Sequence, residues 1–455
     1  MKNMMLKGRM GLIGLMGLMG LVGFMDSAAA QSRQWSLREC CDYAVEHNLQ
    51  IKQQDNQRRQ QELQLSTARN SRLPSVDASI GENISFGRGL TAENTYTNTN
   101  TSSTSFSLST SVPLFTGFQI PNTIRLNELN LAAAVQDLEK AKNDIRMQVA
   151  QAYVQILYDM ELCDVAQRQI AIDSMQVVRL QAMLDNGKVS GAELSQQQAT
   201  LAQSRLTATQ ADNQRQLDIL ALTQLLELPS PDGFSIVRPD LDSFFSPRSS
   251  QIIEWSPESI YREALLAKPE VAAEQLRLQG KENNIKIAQA GYYPQLSFSA
   301  GLGTNYYNAS GVPTDGFATQ LKNNFSQYLG LNLSIPIFNR FQTRNNVRSA
   351  RIERETQQLQ LDNVKKQLYK EIQQVYYNVE AAYEKLRSSQ QAMLAAQDAF
   401  TLTQAKYENG KANITEFNEA KNNYLKSESD LVQARYECIY QRSLIEFYRG
   451  KPLHF

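Results

Sequence analysis

Leu180-Gln-Ala-Met-Leu-Asp-Asn-Gly-Lys-Val-Ser-Gly-Ala-Glu-Leu194 is the stretch on which the fold turns. Two long helical patterns meet in it at Asn186-Gly187. A glycine just past a helix takes the left-handed backbone that stops it. A Ser or Asn shortly afterwards caps the next helix. The stretch therefore reads as a tight helix-to-helix turn. It recurs 223 positions on (410 − 187), in Tyr407-Glu-Asn-Gly-Lys-Ala-Asn-Ile-Thr-Glu-Phe417. Lys188 and Lys411, Glu193 and Glu416, and Leu194 and Phe417 pair at that same offset.

Outward from these turns the whole chain is duplicated. Ser36–Gly81 matches Ser256–Gly301 at an offset of 220, through Ala44/Ala264, Ala68/Ala288 and Pro74/Pro294. From Val112-Pro-Leu-Phe115 against Ile335-Pro-Ile-Phe338 the offset is 223, and it holds to Pro229/Pro452. Each half reads helix, strand, loop, strand, very long helix, turn, long helix. The first helices run over Leu37–Ser71 and Pro257–Gly291, stopped by Pro74 and Pro294.

The strands alternate with period two. Val76, Ala78, Ile80, Ile84 and Phe86 share a face with Glu82, against Asp77, Ser79, Gly81, Asn83 and Ser85. Phe106, Leu108, Val112 and Leu114 alternate with Ser105, Ser107, Ser109 and Ser111. Leu296, Phe298, Ala300 and Leu302 alternate with Ser297, Ser299, Gly301 and Gly303, and Leu329, Leu331 and Leu333 with Gly330, Asn332 and Ser334. Segments of ~10 residues with one apolar and one small polar face suit tilted membrane strands around a wet lumen. Ile80, Ile84, Phe106, Leu108, Leu331 and Leu333 are expected to face lipid, and Ser79, Ser107, Ser109 and Ser299 the lumen. The intervening loops 87–103 and 304–324, rich in Asn, Thr, Ser and Gly, read as outer loops.

Heptads dominate the rest. Val149, Ile156, Cys163, Ile170, Val177 and Leu184 recur every seven residues, as do Ile372, Val379, Leu386, Met393, Phe400 and Tyr407. Such a repeat means coiled-coil packing. A helix from Asn122 to Asn186 is ~95 Å long. Asp137, Glu139, Lys140, Lys142, Asp144 and Arg146 make it too polar for lipid, so it projects into water.

At the N-terminus, Lys2, Lys7 and Arg9 precede an apolar run, Met10–Met25, and Ala28-Ala29-Ala30. That is the pattern of a secretory signal cleaved after residue 30. No Cys follows it to carry a lipid. Residues 31–228 form the first repeat, with strands at 75–88 and 103–115. Residues 229–256, rich in proline and carrying Phe234, Phe244, Phe245 and Trp255, form a connector packed outside the helices. Residues 257–455 form the second repeat, with strands at 295–305 and 325–338.

Without the signal, 43 basic residues face 45 acidic ones, a balance that gives no reason to expect nucleic acid. Cys40, Cys41, Cys163 and Cys438 have no metal spacing; Cys163 and Cys438 fall in apolar registers as buried thiols, and any disulfide pairing stays open. No phosphate loop, H-E-x-x-H or G-x-S-x-G is present, and neither His47 nor His454 has a partner nearby in sequence. No enzyme activity, cofactor or metal is expected. Four strands do not close a membrane barrel, and open edges are not viable in lipid. Several copies must share one barrel, continued by the helices as a hollow bundle.

In the order helix–Pro–strand (Arg69–Pro74, Ala290–Pro294), Val-Pro-Leu-Phe or Ile-Pro-Ile-Phe, and Asn-Gly-Lys turn, the chain resembles the TolC-like outer membrane efflux family over essentially its whole mature length. The resemblance implies a mixed α/β membrane protein. Three copies would share a 12-stranded barrel in the outer membrane of a Gram-negative bacterium, set on an antiparallel coiled-coil α-helical barrel in the periplasm. It implies passive export of small toxic molecules, with a periplasmic adaptor and an inner-membrane pump as partners. A type I protein-secretion outlet is the alternative. The adaptor would meet the tip turns Asn186, Gly187, Lys188, Asn409, Gly410 and Lys411. Family gate positions carry over to Tyr407 and Glu193, expected to hydrogen-bond, and to Glu416 and Glu419, expected to ring the closed pore. A basic residue of that gate is replaced by Ala412.

Overall fold

A computed structural model describes residues 34–90, 94–239 and 256–453. The signal segment, most of the connector (240–255, with Phe244, Phe245 and Trp255) and His454 lie outside the described residues. The first repeat starts with a short strand, β1 (Gln34–Trp35), and α1 (Leu37–His47). Ser36 and Glu39 form a reciprocal capping box that fixes where α1 begins. The helix expected over Leu37–Ser71 is two helices, because Asn48 interrupts it. Its side chain accepts from Gln50 N at 2.9 Å, capping α2 (Leu49–Asn70), and donates to Leu225 O at 3.1 Å.

Strand β2 (Ser75–Ser85) follows, then a small hairpin of β3 (Arg88–Leu90) and β4 (Tyr96–Asn98) where only loop was expected, then β5 (Thr101–Thr116). Gly117 turns β5 into the long helix. Its φ is +62°, and a Cβ there would lie 2.6 Å from Ala290 O, so only glycine fits. Helix α3 (Gln119–Asp185) is continuous for 67 residues, about 100 Å. After the turn, α4 (Gly191–Leu225) runs back. The connector then adds β6 (Ser235–Ile236), which pairs in parallel with β1 and packs Phe234 on Trp35. Tyr153 of α3 donates to Val237 O at 2.7 Å, tying residues 235–237 to α3.

The second repeat copies this plan. Helices α5 (Pro257–Ala267) and α6 (Pro269–Gln289) replace the expected single helix 257–291. Pro269 supplies no N–H and keeps Lys268 out of the helical region. Strand β7 (Gln295–Ala309) is longer than expected, and β8 (Ser326–Ser334) is shorter. Between them a short helix, α7 (Phe317–Asn323), replaces part of the expected outer loop. It serves the upper edge of β7, beyond the end of β8: Gln320 accepts from Tyr307 N and donates to Tyr307 O, both at 2.9 Å, as a strand neighbour would. Helix α8 (Gln342–Glu408) again has 67 residues, and α9 (Ile414–Tyr448) has 35, like α4.

The four main strands form one antiparallel sheet in the order β2-β5-β7-β8. The register joins Ile80 to Phe106, Leu108 to Leu302 and Phe298 to Leu331 on one face, and Ser107 to Gly303 and Ser109 to Gly301 on the other. One detail of the expected alternation changes. A bulge at Leu114 brings Phe115, not Leu114, opposite Leu296 on the apolar face. Glu82 also lies on that face, and its carboxylate is taken up by the hydroxyls of Ser102 and Thr104. Among the described residues only α7 lies on the apolar face, with Phe317 against Phe106 and Tyr306; the rest is open, Ile80 being 75% exposed and Leu331 69%.

Below the sheet, α3 and α8 run the full length of the helical part. In its upper half α2, α3, α6 and α8 lie side by side; in its lower half α3 and α8 pair with α4 and α9. The core sits at mid-length, where Val149, Ile156, Leu222 and Ile236 pack in the first repeat and Ile260, Val271, Ile372 and Val379 in the second. The heptad seam loosens towards the turn, from fully buried Val149 and Ile156 to half-buried Ile170, Val177 and Leu184. All four cysteines are free, and Cys163 is half-buried, not buried. Burial pushes Cys40 and Cys41 up to about 12 and Cys438 to about 11, so these thiols are inert.

The two sheet faces are expected to respond oppositely to charge. Ile80→Arg and Leu331→Arg should each cost ~2–4 kcal/mol near a bilayer midplane, while Ser107→Arg and Ser299→Arg should be tolerated. Unfolding from lipid vesicles measures this, and equal damage on both faces would show that the register is misassigned.

Candidate functional site at the helical tips

Both hairpin ends close by the same chemistry. Gly187 and Gly410 sit at φ +68° and +69°, and a Cβ at either would meet nothing within 4 Å, so backbone conformation alone requires glycine. Lys188 N donates to Met183 O at 2.9 Å and Lys411 N to Lys406 O at 2.8 Å, the six-to-one bond of a Schellman motif. The Asn186 and Asn409 amides reach back to Ala182 O and Ala405 O, at 2.6 and 2.8 Å. Lys188 and Lys411 are exposed.

The next helices start on caps. Ser190 Oγ accepts from Glu193 N at 3.3 Å, and Asn413 Oδ1 accepts from Glu416 N at 2.8 Å. The carboxylates return the favour: Glu193 accepts from Ser190 Oγ, and Glu416 from Asn413 Nδ2. The recurrence of Glu193 and Glu416 at one offset thus has a local cause in helix capping. Glu419, three residues on, is exposed.

Tyr407 is stacked on Phe417, with ring centroids 5.0 Å apart, in a run of aromatics that continues through Phe400 to Tyr424. Its other neighbour is Arg179 of α3, whose guanidinium lies 5.1 Å from the ring centroid. Arg179 also donates to Glu408 O at 3.3 Å. Burial raises the Tyr407 hydroxyl above the ordinary tyrosine range; Arg179 opposes this and Glu193 adds to it. Tyr407 and Glu193 are therefore close enough to feel each other, yet no hydrogen bond joins them among the described residues. Arg179 was not singled out from the sequence. Its repeat mate is Leu402, and that departure from the duplication was the available signal.

A second tie lies about 18 Å along α3 from the tip, twelve residues before Asp185. Asp173 of α3 and Lys421 of α9 form an ion pair with both side chains 0% exposed. Gln197 Nε2 and Ser204 Oγ of α4 donate to the same carboxylate, at 3.2 and 2.6 Å, and Asn418 Nδ2 donates to Gln197 Oε1 at 3.3 Å. The cluster joins the first hairpin to the second. Its repeat mates are Ala396 and Gln198, so it exists at one inter-hairpin seam and has no copy within the chain. Arg168 and Glu428 add a more exposed pair at 2.7 Å along the same seam. Among the described residues no cluster of metal-ligating side chains is present, and no helix is long and apolar enough to cross a membrane.

Both halves match the model of a family described as outer membrane efflux protein, over residues 41–227 and 260–446. The chain is 21% identical over 259 residues to the outer membrane efflux protein BepC of Brucella suis, covering 57% of this chain and 53% of that one. A second relative, an uncharacterized protein of Haemophilus influenzae, is 23% identical over 212 residues, 45% of either chain. The chain thus spans about half the length of the curated relatives it matches. Among solved structures, it is similar to a membrane protein from Pseudomonas aeruginosa, with a TM-score of 0.75 at 17% identity over 91% of this chain and 92% of that one. It is also similar to the outer membrane protein VceC of Vibrio cholerae, with a TM-score of 0.72 at 16% identity over 92% and 97%.

The buried pair is expected to be costly to break singly and cheap to remove whole. Lys421→Met strands a buried carboxylate and should lose about 3–5 kcal/mol, whereas Lys421→Met with Asp173→Leu should recover most of that. Guanidinium unfolding followed by helical circular dichroism reads both. A single variant as stable as the parent would remove the pair as a fastening.

Proposed function

This chain belongs to the outer membrane efflux protein family, and from that premise we propose that it is the exit duct of a tripartite pump. Three copies would close a 12-stranded barrel in the outer membrane, and their helices would form a tunnel through the periplasm. Small toxic molecules would pass down it, driven by an inner-membrane pump through a periplasmic adaptor that meets Asn186, Gly187, Lys188, Asn409, Gly410 and Lys411. The observation that carries this reading is the sheet: four strands with a largely open apolar face and two open edges, set on two 67-residue helices too polar for lipid. No account within one chain satisfies those edges.

We place the gate at the tips. A tunnel open at rest leaks, so something must hold the hairpins inward until a partner releases them. Tyr407 and Glu193, together with Arg179, are the proposed lock, and Asp173 with Lys421 makes each protomer's two hairpins move as one body. Glu416 and Glu419, one turn apart, would ring the constriction and favour cations.

The protein in detergent is expected to have three chains' mass by light scattering with the detergent subtracted; a stable monomer would defeat the barrel. In planar bilayers, Tyr407→Phe with Glu193→Ala should raise single-channel conductance severalfold, and Arg179→Ala should raise it further. Glu416→Ala with Glu419→Ala should weaken cation preference. Unchanged conductance in the first set together with unchanged selectivity in the second would dismiss this gate and leave the duct.

A further inference from the structure

The duplication fails at one buried position near mid-length. Asn48 and Lys268 are repeat mates, each between a short helix and the next, and each is buried. Asn48 satisfies itself, capping α2 and donating to Leu225 O. Lys268 does not. It is 6% exposed, and its ammonium lies 4.2 Å from the Phe447 ring centroid and 4.3 Å from that of Tyr448. It has no hydrogen-bond acceptor or ion-pair partner among the described residues. Two aromatic faces attract a cation, but they do not take its three N–H donors. Burial pulls this amine below the ordinary lysine range, with Glu270, Glu371 and Asp144 acting against the shift from a distance. A buried ammonium normally has an anion or several oxygens against it.

Lys268 lines a cavity of about 520 Å³ between α1, α3 and the end of α9, a volume in the range of small-molecule sites. Three other cations line it. Arg38 is shared with Asp42 at 3.8 Å, and Lys451 with Glu446 at 2.6 Å. Among the described residues the Arg146 side chain hydrogen-bonds the neutral amide of Asn143 alone, donating to its Oδ1 at 2.9 Å. The uncommitted cations are thus Lys268 and Arg146, which suits one carboxylate better than a polyphosphate. Asp42, whose carboxylate is shared with Arg38, also lines it, with Asn143, Cys41 and Gly450, and an apolar side is formed by Phe447, Pro452, Leu453 and Ala267. That apolar side suits a hydrocarbon body beside the charged one.

We propose that this cavity is a binding site for a small organic carboxylate, its head taken by Lys268 and Arg146 and its apolar body lying on Phe447, Pro452 and Leu453. The site lies where the two repeats of one chain meet, so its occupant ties the first repeat to the second at the level from which both hairpins descend. It depends neither on the tip gate nor on what the duct exports.

Hexanoate is the probe, added to the full-length protein in amphipol so that no micelle competes for it. Saturation-transfer NMR and calorimetry are expected to show one saturable site per chain. Lys268→Gln should weaken it about tenfold or more, and Arg146→Gln severalfold. Thermal melting identifies the variants that fold, and if Lys268→Gln does not, Arg146→Gln carries the test. Hexanol has the body without the charge and should bind about tenfold worse, as should inorganic phosphate, which has charge without the body. The proposal is overturned by the absence of saturable binding, by undiminished binding in the folded variants, or by hexanol or phosphate binding as tightly as hexanoate.

Discussion

Backbone hydrogen bonding in a medium without water is the constraint from which the rest of this molecule follows. A sheet edge in hydrocarbon leaves N–H and C=O groups with no partner at several kcal/mol each. Here β2 and β8 are the edges of a four-stranded sheet, and they run in opposite directions. The β8 edge of one copy can therefore meet the β2 edge of the next in antiparallel pairing, with no strand left over. Where β7 outruns β8, the chain uses another remedy and lends a glutamine amide and a short helix to the exposed stretch.

The same demand reaches the helices through Gly117 and its mate Arg340, the left-handed residues at which each second strand becomes a 67-residue helix. The sheet sets the spacing of the helices, and the heptads set their pairing. One heptad row of α3 loosens towards its tip, at Ile170, Val177 and Leu184, while Leu180, Phe400 and Phe417 stay buried there.

Duplication explains most of the architecture, and departures from it carry what is specific. Asp173 stands against Ala396, Lys421 against Gln198, Arg179 against Leu402, and Lys268 against Asn48. Each charged member lies at an interface between the repeats, where a symmetric residue would serve no purpose. Two equal repeats would give seams of one kind. These substitutions give the seam between the two repeats of one chain ties that the duplication does not copy.

Sequence by itself determined the periodic features. Period two fixed the strands and their faces, period seven the coiled coils, the 223-residue offset the two hairpins, and Gly187 and Gly410 the turns, because each depends on spacing along one chain. It missed what local chemistry interrupts: the helix breaks at Asn48 and Lys268, the bulge at Leu114, the helix Phe317–Asn323 inside a polar loop. Tertiary structure alone decided which side chains meet across the fold. Asp173 and Lys421 are 248 positions apart and fully buried, and Arg179 reaches Tyr407 from the other hairpin. Neither contact has a spacing to betray it, since both arise where helices cross-pack, and there distance in space is unrelated to distance along the chain.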